Sequence, residues 1–306
     1  MKTRLAVIGV GSLGQHHARI LAAMPDVDLV GVVDINAARA QEIAARHGTV
    51  VVADASSLIG RVDGVSIATP TASHIQVALP FVEAGIAVLI EKPLASSLAE
   101  ADRLLAAAAA RGSLLAAGHT ERFNPAVAAA RPLVSAPRFV EVHRLGTFPD
   151  RSLDIDVIFD LMIHDLDVLL SLVGSDVAAV DAVGVNVLTP KVDIANARLR
   201  FESGCIANLT ASRISRDRVR KARFFQHDAY ISIDYAAQEL EVYRLAASNG
   251  GRPVIQGGRI EIVNEEPLLR ELADFVSAIR DRRPPAVTGA DGRAALALAT
   301  RIAELI

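Results

Sequence analysis

A chain of 306 residues exceeds one compact core and fits two domains of ordinary size. Apolar residues at 51%, charged ones at 22% and a net charge of −3 describe a soluble globular protein with no global pull toward nucleic acid or anionic membrane. The single cysteine, Cys205, excludes an internal disulfide and fits a reducing compartment, and no apolar stretch reaches the ~18 residues of a membrane span. Met1-Lys2-Thr3-Arg4 imitates the start of a signal peptide, but glycines interrupt the apolar run behind it and no small-residue cleavage site follows. A cytoplasmic location is expected.

Leu5–Ile8 is an apolar run of strand length that ends in Gly9-Val10-Gly11-Ser12-Leu13-Gly14, and a helix is expected over Gln15–Met24. Strand, glycine turn and helix open a dinucleotide-binding βαβ unit. Gly9 allows the tight turn, Gly11 lets a pyrophosphate approach the backbone, and Gly14 brings helix and strand together. The helix N-terminus offers free N–H groups and partial positive charge to phosphates. Alone this pattern is a weak signal. A second strand over Val27–Val33 strengthens it by ending at Asp34, twenty residues past Gly14, where the fold needs a carboxylate for ribose hydroxyls. The alternative for Asp34 is a helix N-cap. A carboxylate there favours NAD over NADP, and Arg39 is expected further round the next helix.

Ala37–His47 reads as a helix, Thr49–Val52 as a third strand and Gly64–Ala68 as a fourth. The fourth breaks into Thr69-Pro70-Thr71-Ala72-Ser73-His74, where proline forces a turn and the hydroxyls suit capping of the helix Ile75–Ala84. A fifth strand, Ala87–Ile90, runs into Glu91-Lys92-Pro93; a helix over Leu98–Arg111 and a sixth strand, Leu114–Ala117, follow. Six strands alternating with helices make a doubly wound parallel sheet of the Rossmann type, whose post-strand loops face the ligand crevice. Glu91-Lys92 could still be a solvated surface pair. Gly118-His119-Thr120-Glu121-Arg122-Phe123-Asn124-Pro125 lies where the chain leaves the sheet; Arg122 and Asn124 either contact ligand or brace the helix Ala126–Val134.

From Arg138 alternating segments replace βα units: Phe139–Leu145, Ile194–Phe201, Cys205–Ala211, Tyr230–Asp234 and Leu240–Leu245. Ala195, Ala197, Leu199 and Phe201 share one face while Asn196, Arg198 and Arg200 share the other, so an open, mostly antiparallel sheet with helices on one face is expected. The domain boundary is placed at 119/120, with a cofactor domain over residues 1–119 and an α+β substrate and oligomerisation domain over 120–306. A helix from about Asp156 to Val173 interrupts the strands. Its polar residues Asp160, His164, Asp167 and Ser171 form one narrow stripe, expected to face a cleft, and Asp165 alone lies off it. Asp160 and His164 are neighbours at i, i+4, and a carboxylate there can orient an imidazole and raise its basicity. An incidental histidine on a solvent face is the alternative.

Arg213, Arg216, Arg218, Arg220, Lys221 and Arg223 place six cations in eleven residues. A solvated strand edge or subunit contact would explain them. So would an anionic substrate, with Arg216, Arg218 and Arg220 as first candidates. Nucleic acid is disfavoured by a pI near 6.2 and by the lack of interleaved aromatics. Asn196, Asn208, Thr210 and Ser212 offer neutral donors and acceptors on a polar sheet face. No metal site is expected, because Cys205 has no clustered histidine partners.

Four motifs in order, GVGSLG, ATPTASH, EKP and DLMIHD, resemble the glucose–fructose oxidoreductase, inositol dehydrogenase and rhizopine-catabolism (Gfo/Idh/MocA) family over essentially the whole chain. That resemblance implies bound NAD, contacted by Gly9, Gly11, Ser12, Leu13, Gly14, Asp34, Thr69, Pro70, Thr71, His74, Glu91 and Lys92. It implies that Lys92 projects into the active site behind a cis bond to Pro93, and that His164 is the general base, held by Asp160, while Lys92 donates to the substrate oxygen. GHTERFNP, DIANARLRF, GCIANLTASR and RKARFFQHDAYISIDY resemble those members that oxidise the 3-hydroxyl of UDP-N-acetylglucosamine, ahead of a transamination in lipid A biosynthesis. The resemblance also implies a homodimer or homotetramer, while charge and hydropathy lead to the expectation of no nucleic-acid and no membrane partner. A dehydrogenase of a free polyol such as inositol, and a non-catalytic NAD-bound regulator, are the competing expectations.

Overall fold

The computed structural model describes residues 2–148, 154–246 and 254–306. By contacts the chain forms two compact units, Met1–His119 with Leu268–Leu296, and Thr120–Pro267 with Ala297–Ile306.

The first unit alternates β1 (Thr3–Ile8), α1 (Gly14–Ala23), β2 (Val27–Val33), α2 (Ala37–His47), β3 (Gly64–Ile67), α3 (His74–Glu83), β4 (Ala87–Glu91), α4 (Leu98–Arg111) and β5 (Leu115–Gly118). The strands pair in parallel in the order β2-β1-β3-β4-β5. Every residue of β3, β4 and β5 is buried, and Ser66 and Glu91 are the polar exceptions in otherwise apolar runs. Local chemistry sets the helix ends. Asn36 and Ser97 accept backbone N–H groups as N-caps of α2 and α4, and Gly48 and Gly112 end those helices in the left-handed conformation.

The strand expected over Thr49–Val52, third in the sequence, is not formed, whereas the one expected sixth is β5. Thr49–Val52 contributes one parallel bridge, Val32 to Val51, with Val32 N–H donating to Val50 O and Val52 N–H to Val32 O, each at 2.9 Å. Val50 and Val51 are exposed, and Asp54 caps a short 3-10 turn over Ala55–Leu58 before a longer ladder can form.

The second unit begins with α5 (Pro125–Ala130), shorter than expected, and β6 (Phe139–Leu145). One π-helical turn, Ile158–Met162, leads into α6 (Ile163–Val173). Seven strands follow: β7 (Val177–Val185), β8 (Ile194–Phe201), β9 (Ile206–Ser212), β10 (Val219–Phe225), β11 (Ala229–Asp234), β12 (Glu239–Ala246) and β13 (Val254–Ile260). The eight strands lie in the order β13-β12-β11-β10-β6-β9-β8-β7, antiparallel except for the parallel pair β6–β9.

Three of these strands carry weak sequence signals. β7 lacks strict alternation, β13 holds two glycines, and the cations of β10 hide its alternation. Because β10 lies between β11 and β6, the cationic run is not a sheet edge. On β6 and β8 alternate residues are buried, so the sheet is covered on one face. α6 lies on that face, since Arg144, which alternates with buried Val140 and Val142, bonds to Asp165.

Two helices close the chain, α7 (Pro267–Asp281) and α8 (Gly289–Ala303). Leu272, Phe275 and Val276 of α7 pack into the cluster of Leu5, Val7, Val27 and Leu89. Leu268–Leu296 therefore belongs with the first unit by packing, whereas the sequence reading assigned all of 120–306 to the second. A helix's apolar stripe does not say which sheet it covers.

Candidate active site

The glycine turn is built as its spacing demands. Gly9 has φ +83°, and a Cβ on Gly14 would lie 1.8 Å from Gly9 O. A Cβ on Gly11, by contrast, would meet nothing within 4 Å. Gly11, Ser12 and Leu13 are exposed at the N-terminus of α1, leaving room for a phosphate against the free N–H groups. These residues fit a dinucleotide.

Asp34 does not cap α2, a role Asn36 takes by accepting from Arg39 N–H. Its carboxylate ties the turn together, accepting from Val10 N–H and Asn36 N–H at 2.8 Å each. Arg39 is not further round the helix. Its guanidinium reaches back to Val10 O (3.0 Å) and Gln15 Oε1 (2.7 Å) and is neutralised by Glu42 at 2.6 Å. Ile35 is fully exposed beside Asp34.

Thr69 and Thr71 are half-buried and Pro70 is exposed in the loop after β3. The hydroxyls do not cap α3: Ser73 donates back to Pro70 O at 2.8 Å. His74 is buried, with Nδ1 3.0 Å from Pro93 O and Nε2 2.9 Å from Thr69 O, between the two loops. Burial pushes its pKa down against the pull of the two carbonyls. The Lys92–Pro93 bond is cis, and Lys92 is half-buried at the end of β4. Glu91 is also buried. Its buried carboxylate accepts from His17 Nε2 at 3.0 Å and from Lys92 N–H at 3.2 Å. Burial opposes its charge, but His17 and Lys92 hold it below the usual carboxylate range.

In the second unit Asp160 lies within the π turn and His164 in the first turn of α6, both half-buried. The expected uninterrupted α-helix from Asp156 thus begins with a π turn, a device frequent at functional sites. The rest of the polar stripe is paired with arginines. Asp167 is buried within 3.4 Å of Arg122, and Ser171 accepts from Arg131 at 2.7 Å. Arg122, proposed for substrate, is accordingly directed at α6.

Asp165 carries more than its place off the stripe suggested. It grips Arg144 through two bonds of 2.6 and 2.9 Å, while Arg144 also reaches Glu121 at 3.1 Å and lies 5.2 Å over the Tyr235 ring. Burial raises the Asp165 pKa against the pull of Arg144. Asn124 is buried and braces this corner: it accepts from Ala126 N–H at the start of α5 and donates to Tyr235 O, each at 3.0 Å. That geometry makes it a helix cap.

The cationic run divides by its surroundings. Arg213 is buried against Asp193 (2.8 Å) and Ile155 O (2.7 Å). Lys221 and Arg223 pair with Asp234 and Glu141 at 3.1 and 2.9 Å on the open sheet face. Arg216, Arg218 and Arg220 are exposed, and Arg220 shares the α6-covered face with buried Ala222 and Phe224. The neutral groups expected to meet a sugar are engaged within the sheet. Asn196 bonds Thr210 (2.9 Å) and Arg198 bonds Asn208 (3.2 Å) on the face away from α6, and Ser212 is buried. Among the described residues no group of three or more His, Cys, Asp or Glu side chains is placed to hold a metal, and no helix is long and apolar enough to cross a membrane.

Residues 3–119 match the model described as "Oxidoreductase family, NAD-binding Rossmann fold", and residues 136–232 match "GFO/IDH/MocA C-terminal domain". The chain is 42% identical over 301 residues to UDP-N-acetylglucosamine 3-dehydrogenase of Acidithiobacillus ferrooxidans, covering 98% of this chain and 96% of that protein. The solved structure of that protein, GnnA, superposes with a TM-score of 0.93 at 40% identity, covering 100% of this chain and 98% of that one. The scyllo-inositol 2-dehydrogenase (NAD(+)) of Bacillus subtilis is 25% identical over 95% of this chain and 90% of its own length. With a glycine turn shaped for a dinucleotide and both domains matched, the chain belongs to the Gfo/Idh/MocA family of NAD-binding oxidoreductases.

Proposed function

We propose that the protein oxidises the 3-hydroxyl of UDP-N-acetylglucosamine to a ketone with NAD. One observation carries this reading: the 42% identity to UDP-N-acetylglucosamine 3-dehydrogenase extends over 98% of the chain. His164 takes the hydroxyl proton as general base, and Asp160 orients its imidazole. Lys92 donates a hydrogen bond to the substrate oxygen, where charge develops as the proton leaves. The glycine turn Gly9–Gly14 and the N-terminus of α1 would hold NAD, which would supply the hydride acceptor for this oxidation. Arg216, Arg218 and Arg220 supply the cations that a diphosphate needs. The enzyme works in the cytoplasm as a homodimer or homotetramer, and its product suits a transamination in lipid A synthesis.

NAD reduction compared between UDP-N-acetylglucosamine, free N-acetylglucosamine and inositols tests the reading. A kcat/KM at least ~100-fold higher for the UDP-sugar, about 2.7 kcal/mol, is expected. Equal efficiency with a free sugar or inositol would favour the polyol reading, and no turnover of any substrate would favour a regulator.

A further inference from the structure

β4 is buried along its whole length, and every residue but the last is apolar. The exception is Glu91, the residue before Lys92. A carboxylate in such a place is costly unless its oxygens are paired. Here both are. Oε1 accepts from His17 Nε2 at 3.0 Å, and Oε2 accepts from the backbone N–H of Lys92 at 3.2 Å. His17 is itself fixed, because its Nδ1 lies 2.7 Å from the buried Ser66 Oγ on β3, a contact either protonation state of the ring can make. On the other side β5 presents Gly118 opposite Glu91, and a Cβ there would come within 3.1 Å of the carboxyl carbon. Glu91 therefore has one place to go.

From this geometry we propose that His17 is a positioning residue for Lys92, acting through Glu91. The proposal rests on the reading of Lys92 as donor to the substrate oxygen. His17 lies on α1, three residues past Gly14, so the line Ser66–His17–Glu91–Lys92 runs from the helix behind the glycine turn to the lysine. The following residue is anchored as well, since His74 bonds Pro93 O. Lys92 thus projects from a backbone gripped on both sides by buried imidazoles. The Glu91 carboxylate, being buried and turned inward, acts on the peptide of Lys92 and not on a ligand. Loosening this grip shifts the lysine without removing it, and a misplacement of about 1 Å is worth up to ~100-fold in rate.

The test uses the full-length enzyme with NAD and UDP-N-acetylglucosamine. His17→Leu removes the donor to Glu91, His17→Gln keeps an amide N–H near the position of Nε2, and Lys92→Ala removes the lysine. His17→Leu should lower kcat by ~10–100-fold while leaving the NADH dissociation constant, read by nucleotide fluorescence, within about twofold. His17→Gln should recover most of the lost kcat. In the double variant His17→Leu/Lys92→Ala the rate should fall no further than in Lys92→Ala alone, because residues acting as one unit are non-additive. Losses that multiply would show that His17 acts independently of Lys92 and overturn the proposal. So would an unchanged kcat in His17→Leu beside a crippled Lys92→Ala. If Lys92→Ala itself keeps normal turnover, the role given to Lys92 falls, and the positioning role falls with it for that separate reason. Should the leucine variant not fold, Glu91→Gln preserves shape and should show the same non-additivity with Lys92→Ala.

Discussion

Arg220 and Arg144 are direct cross-strand partners on β10 and β6, yet only Arg144 is buried. The two like charges coexist because Asp165 and Glu121 bind Arg144 and lie near enough to act on Arg220. Desolvation and the Arg144 charge lower the Arg220 pKa against the pull of those carboxylates. An exposed but partly desolvated guanidinium gains from an incoming phosphate oxygen. Arg220→Gln should raise the KM for UDP-N-acetylglucosamine by ~10-fold, about 1.4 kcal/mol, leave the KM for NAD unchanged and weaken the salt dependence of sugar binding. Arg223→Gln should do none of this, because Arg223 pairs with Glu141 on the opposite face. Steady-state kinetics at two ionic strengths separate the two variants; equal effects would remove Arg220 from the substrate site.

His164→Ala and Lys92→Ala should each reduce kcat by ~10²–10⁴, the usual span for a positioned acid–base group. Both variants should retain NADH binding and the thermal midpoint of the unaltered protein. Near-normal turnover in folded His164→Ala would assign the base elsewhere.

Asn124→Ala should act on stability and not on substrate. It removes the α5 cap and leaves Tyr235 O without its donor, at a cost of ~1–3 kcal/mol in urea unfolding. The KM for the UDP-sugar should stay within about twofold. A large rise in KM without loss of stability would restore Asn124 as a substrate contact.

Asp193 accepts the backbone N–H groups of Val187, Leu188 and Thr189, the Thr189 hydroxyl and Arg213 Nε. Burial opposes its charge, but these donors outweigh it and hold the carboxyl well below the usual range. Its folded pKa being depressed, its contribution to stability is complete above the unfolded value of ~3.9 and is lost as pH falls below it. Asp193→Ala strands the buried Arg213 and should cost ~3–5 kcal/mol at pH 7. The stability gap between the two proteins should narrow below about pH 4. A gap that does not change with pH would contradict this account of Asp193.

How much of this was legible beforehand depended on how local each cause is. The glycine turn and Asp34 were readable because turn chemistry acts within a few residues, and alternation in β6 and β8 marked one covered face. β10 was not readable, since Val219-Arg220-Lys221-Ala222-Arg223 looks like a charge run until its neighbours absorb Lys221 and Arg223. Helical periodicity put Asp160, His164 and Asp167 on one stripe. It could not show that Arg122 would meet Asp167, or that off-stripe Asp165 would hold Arg144. His17 was invisible for the same reason: its partner Glu91 is 74 residues away, and nothing local to either residue announces the pair.

The position of oxidation is decided by following the hydride. UDP-N-acetylglucosamine carrying deuterium only at C3 of the sugar ring, incubated with the protein and NAD, should transfer that deuterium to the nicotinamide, with formation of singly deuterated NADH read by mass spectrometry or NMR. That outcome places the reaction at the 3-hydroxyl of the nucleotide sugar. Formation of unlabelled NADH from the same substrate would show that another carbon is oxidised and would contradict the account.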